Sequence, residues 1–111
     1  MDVRLIYRAA DMDAAAPVVF LVGENEERAA ALVSAAKKGK WRCAMAAVPV
    51  QNWNAQLSPW PAQAVFRGGE GFSGGADAFL AELLAAVPGV LAQTGGRACI
   101  MGYSLAGLFA L

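Results

Sequence analysis

Residues 97–107 read Arg97-Ala98-Cys99-Ile100-Met101-Gly102-Tyr103-Ser104-Leu105-Ala106-Gly107. The first five make an apolar run of strand length. Leu105 to Leu111 is a run of apolar helix formers, so a tight turn falls between them at Gly102-Tyr103-Ser104. The serine has a small residue two positions before it, Gly102, and another two positions after it, Ala106. Such a turn strains the serine backbone, and a larger side chain on either flank would strike the neighbouring strand or helix. The geometry lifts the Ser104 hydroxyl above the carboxyl end of a parallel strand and aims the Leu105 N–H at whatever the hydroxyl attacks. The positive end of the following helix adds to the same anion-stabilising field. The plain alternative is a strand-to-helix turn in which Ser104 is an N-cap.

Working back from that turn, the chain alternates strands with helical segments. Val3–Tyr7 is a short strand suited to a sheet edge, and Val18–Val22 is an apolar run that reads as a strand buried on both faces. Gly23 ends it. Asn25 is placed to cap a helix, Glu26 and Glu27 suit its first turn, and Ala29, Leu32, Val33 and Ala36 recur at helical spacing. Lys37 and Lys38 followed by Gly39 form a stop signal. Cys43–Val50 predicts another strand. Residues 51–75 predict a long loop with Trp53, Trp60 and a glycine-rich run, and loops of that length in compact domains usually serve function. Asp77 opens a second helix with Phe79, Leu80, Leu83, Leu84 and Val87 on one stripe, broken or kinked at Pro88-Gly89, and residues 97–101 form a third buried strand. The pattern predicts an α/β fold: a single domain over 1–111 with a mostly parallel sheet, right-handed crossovers and helices on both faces.

Composition narrows the function classes. The 111 residues are 58% hydrophobic and carry nine basic and nine acidic side chains with no histidine. A chain of this length forms one domain. Zero net charge argues against nucleic acid or an anionic membrane as partner. Without histidine the chain offers no His-containing metal site and no His general base. Cys43 and Cys99 lack the spacing of a metal knuckle and read as buried free thiols of a cytoplasmic protein. No metal or cofactor is implied. Thirteen of the eighteen charges fall in residues 1–42, leaving residues 43–111 about 7% charged, against about 25% in an average domain. Such a surface implies cover by protein outside these residues, which makes the chain the N-terminal piece of a larger domain. The longest charge-free stretch near the end, 98–111, is too short to span a bilayer, and the charged N-terminus leaves no signal-peptide core.

With these residues in view, the chain resembles the α/β-hydrolase superfamily, in particular its small serine esterase-like members. The resemblance rests on the Val18–Val22 strand, the Asn52-Trp53-Asn54 and Leu57-Ser58-Pro59-Trp60-Pro61 segments, residues 68–77, and Gly102-Tyr103-Ser104-Leu105-Ala106-Gly107. It implies that Ser104 is the nucleophile, with the N–H of Leu105 and one from Gly23-Glu24 forming the oxyanion hole. Ala106 departs from the more usual glycine. The substrate implied is a small ester or other acyl compound. Asn52, Trp53, Trp60 and Tyr103 are candidate pocket residues, with loop packing the simpler role for the tryptophans. In this superfamily the acid and the histidine follow the serine, and neither is in this chain. Alone it is therefore expected to be close to inactive, and to self-associate through a sheet edge at residues 98–101. The competing expectation is a non-catalytic α/β scaffold or binding module that keeps the fold without the triad.

Other motifs carry less. Cys99 is placed within a strand rather than as a nucleophile. Gly68-Gly69-Glu70-Gly71 follows no strand directly and lacks a Lys-Ser/Thr after it, unlike a phosphate loop. Glu24, Glu26 and Glu27 are accounted for by helix-start electrostatics without a metal.

Overall fold

The computed structural model describes residues 1–10, 12–62, 71–102 and 105–110. The elements run β1 (Arg4–Arg8), β2 (Pro17–Val22), α1 (Ala30–Gly39), β3 (Ala44–Val48), α2 (Trp53–Gln56), β4 (Pro61–Ala62), β5 (Phe72–Ser73), α3 (Ala76–Thr94), β6 (Arg97–Met101) and α4 (Leu105–Ala110). Four strands form one sheet in the order β1-β3-β2-β6, while β4 and β5 make a separate two-stranded pair.

β2 lies parallel to β3, with Val18 opposite Ala44 and Val22 opposite Val48. β2 also lies parallel to β6, with Val19 opposite Cys99 and Leu21 opposite Met101. β1 runs antiparallel to β3, its register shifting between Leu5 and Tyr7. That strand overturns the expected mostly parallel sheet with helices on both faces. The sheet is small and mixed, with one antiparallel pair, and α1 and α3 are its two substantial helices. The reason is connection length. The link between β1 and β2, residues 9–16, is shorter than the dozen or more residues a parallel crossover needs. Helix cover also fails on one face of β6, where Cys99 is exposed and Met101 is 51% exposed. The third buried strand expected from its apolar sequence is therefore an exposed edge.

The core is built on the alternation of β2 and β3. Val18, Phe20, Val22, Ala44, Ala46 and Val48 pack in one cluster, which Leu57, Phe79, Leu83 and Val90 complete. Leu21 and Met45 pack with Ala29 and Ala36 in a second. Complete burial of Phe20 contributes about 2–3 kcal/mol. The alanines of β3 let helices approach the central strands closely.

Several local expectations change. Asn25 accepts a hydrogen bond from the Arg28 N–H at 2.8 Å, as a cap does, but residues 26–29 form a turn and α1 begins at Ala30. α3 continues through Pro88 rather than breaking. Pro88 is on the exposed side, where the Leu84 carbonyl it leaves unbonded can meet water. Within α3, Phe79, Leu83, Val90 and Thr94 are buried, but Leu80 and Leu84 of the anticipated stripe face out. By length and composition α3 would suffice to cross a membrane, with a mean hydropathy of 1.4 over its apolar window. The anticipated 51–75 loop contains α2 and the β4–β5 pair, and its glycine-rich motif at 68–70 lies outside the described residues.

Candidate functional site

Parallel pairing brings the carboxyl ends of β2 and β6 side by side, because Leu21 faces Met101 across the ladder. β2 leaves the sheet through Gly23 and β6 through Gly102. Between these exits lies an open crevice of about 340 Å³, lined by Val22, Glu24, Arg28, Leu32, Met101 and Gly102 among others. Ligands of parallel sheets bind in such crevices beyond the strand ends.

Gly23 is required twice over. Its φ is +83°, a region that costs other residues about 1–2 kcal/mol. A methyl group on it would also collide with the Trp53 indole. Trp53 opens α2 and is half-buried against the main core cluster, so it packs on the exit of β2. The Gly23 N–H donates to the Val48 carbonyl at 2.8 Å and is thus committed to the ladder. The Glu24 N–H reaches the Leu21 carbonyl at only 3.4 Å, a weak bond that a ligand oxygen can replace.

Arg28 is the residue that sequence inspection missed. Its guanidinium lies 3.8 Å from the Glu24 carboxylate and donates to the Gly23 carbonyl at 3.4 Å, so it braces the exit of β2. The signal was there in the Glu24–Arg28 spacing of four residues. Asp2, Glu24, Glu26 and Glu27 line or adjoin this end of the sheet, against Arg4 and Arg28. The Arg4–Glu26 pair, at 3.8 Å, is exposed and contributes little to stability.

On the β6 side, Gly102 is half-buried and α4 begins at Leu105. Ala106 is completely buried in the core, and Phe109 meets Phe79 edge-on with ring centroids 5.2 Å apart. These contacts seat α4 against α3. Tyr103 and Ser104, the anticipated pocket residue and nucleophile, lie outside the described residues, and so does the side chain of Leu105.

The remaining anticipated pocket residues do not gather at the crevice. Asn52 caps α2, its Oδ1 accepting from the Ala55 N–H at 3.0 Å, while Gln56 Oε1 accepts from the Asn52 N–H at 2.8 Å. Trp60 is 63% exposed next to β4 and is not among the residues lining the crevice. Nearby, the buried Ser58 Oγ accepts from the Gly74 N–H at 2.7 Å. Cys43 is buried as expected, but Cys99 is not, because β6 is an edge. Burial pushes the Cys43 thiol above its ordinary value of 9.0. Among the described residues no group of His, Cys, Asp or Glu side chains could hold a metal ion.

No family model matches this chain, and no curated protein matches it.

Proposed function

We propose that the chain carries the nucleophile-bearing part of a serine hydrolase acting on carboxylic esters. The observation that supports it best is the pairing of two parallel strand ends, β2 at Gly23 and β6 at Gly102, on one crevice. The spacing Gly102-x-Ser104-x-Ala106 and the complete burial of Ala106 fit a turn that tolerates only small flanks. In the reaction, Ser104 Oγ bonds to the acyl carbon and gives its proton to a base. The resulting oxyanion accepts hydrogen bonds from the N–H of Leu105 and of Glu24. Its collapse expels the alcohol, which takes that proton, and water then releases the acid from the serine. Gly23 is left out of the oxyanion role because Val48 already holds its N–H.

The chain contains no histidine, so a histidine base would come from outside these 111 residues. Glu24 lines the crevice, and Asp2, Glu26 and Glu27 line a neighbouring concavity that shares Glu24, a placement that favours uncharged or cationic esters over anionic ones. The lack of histidine also favours a second reading, a non-catalytic module that binds a ligand in the same crevice. Ester hydrolysis by the protein as its host makes it, with and without Ser104→Ala, separates the two. Loss of about a thousandfold or more in kcat supports catalysis. Equal rates leave the binding module.

A further inference from the structure

The far end of the sheet holds a concavity that the hydrolase reading does not use. It lies where β1 ends and β3 begins, the opposite end from Gly23 and Gly102. Its volume is about 440 Å³, and Tyr7, Arg8, Lys37, Lys40, Trp41 and Arg42 line it with no carboxylate among the described lining residues. Arg8 at the end of β1 thus meets Lys37 of α1 and Lys40 and Arg42 just beyond it.

Two alternatives account for less. Lysines at a helix end usually answer the exposed carbonyls of the last turn. Here two of those carbonyls already have backbone partners: that of Ala36 accepts from the Trp41 N–H at 3.0 Å, and that of Lys37 from the Lys40 N–H at 3.4 Å. Nor do the salt bridges of the described residues absorb the charge of Arg8, Lys37 and Lys40. Among the described residues the three salt bridges engage Arg4 and Arg28, not Arg8, Lys37 or Lys40.

The backbone is also strained where it presents the site. Lys40 holds φ 51° and ψ 46°, the left-handed conformation that glycine normally takes at a helix end. Gly39, one residue earlier, does not take it. The Trp41 indole lies against Gly39 so closely that a Cβ there would come 2.5 Å from Nε1. The Tyr7 hydroxyl donates to the Trp41 carbonyl at 2.9 Å and holds the loop down. The left-handed Lys40 thus sits between the Trp41 ring and Lys37 in the lining of the concavity.

We infer that this basic, aromatic-walled concavity binds a phosphate-bearing anion, with Arg8, Lys37 and Lys40 as its principal cations. Phosphate is favoured because several converging cations suit a compact multivalent anion better than a single carboxylate. Free oligophosphates and lipid phosphate headgroups share that chemistry.

The test uses the full 111-residue chain with pyrophosphate as the probe in calorimetric titration, and phosphatidylglycerol or phosphatidylcholine vesicles in co-sedimentation. Lys37→Gln and Lys40→Gly remove two charges, and glycine suits the backbone at residue 40, so the fold is retained and melting curves check this. Saturable pyrophosphate binding, weakened about tenfold in the double variant and by added salt, supports the site and assigns a free anion. Sedimentation with phosphatidylglycerol alone, lost in the double variant, supports the site and assigns a headgroup. Absence of both, or binding that the double variant leaves unchanged, overturns it.

Discussion

A methyl group at residue 23 has nowhere to go. Gly23→Ala forces a left-handed backbone onto alanine and drives its Cβ into the Trp53 ring. The expected cost is about 3 kcal/mol, read from the urea midpoint. An unchanged midpoint would mean that the ring and the glycine are not packed together. Residue 40 has the opposite sign. Lys40→Gly relieves a left-handed lysine and should raise stability by about 0.5 kcal/mol, the relief being partly offset by the extra freedom of the unfolded chain. The two cysteines should differ in the same direct way. A thiol reagent should modify exposed Cys99 in the folded protein and reach Cys43 only on unfolding. Burial also favours the neutral Cys43 thiol, so its pKa is higher folded than unfolded. Its contribution to stability is therefore whole below about pH 9 and is lost as pH rises through the folded value. Cys43→Ala should flatten that alkaline decline.

Among the elements, α3 is fixed by few anchors. Leu83 is completely buried beside Phe79, whereas Leu84 is 56% exposed. Leu83→Ala should cost about 3 kcal/mol and Leu84→Ala well under 1, measured by chemical denaturation. Both leucines belong to one apolar stripe in the sequence, which shows how far periodicity reaches. It located the helix, but not which edge of a wide stripe the sheet would meet. The strands behave similarly. Val18–Val22 was legible as a buried strand because its side chains are apolar on both faces, and that holds for a central position. The apolar run 98–101 looks the same on paper yet forms an edge, since lateral neighbours are set by topology, not composition. Beyond Arg97 at its start, the β6 edge carries no charge and its ladder shows no register shift, whereas β1 carries Arg4, Arg8 and a register shift. Concentration-dependent association in analytical ultracentrifugation should therefore weaken in Cys99→Lys. Association untouched by that change would point away from this edge.

At the scale of the whole molecule, a net charge of zero conceals a division. Asp2, Glu24, Glu26 and Glu27 gather at one end of the sheet, and Arg8, Lys37, Lys40 and Arg42 at the other. Sequence totals cancel these groups, and only the fold separates them. Arg28 at the crevice was likewise invisible to a search for nucleophiles and bases, because it acts through Gly23 and Glu24. The demand of a turn at Ser104 for small flanking residues is local and can be read from sequence alone, but Tyr103 and Ser104 lie outside the described residues. The proposed role of Ser104 as an activated nucleophile is tested most directly by treating the protein, as its host produces it, with a fluorophosphonate probe and mapping the modified peptide. A single phosphonyl adduct on Ser104, abolished by prior denaturation, is the predicted result. An unmodified Ser104, or an adduct on another residue alone, would contradict it.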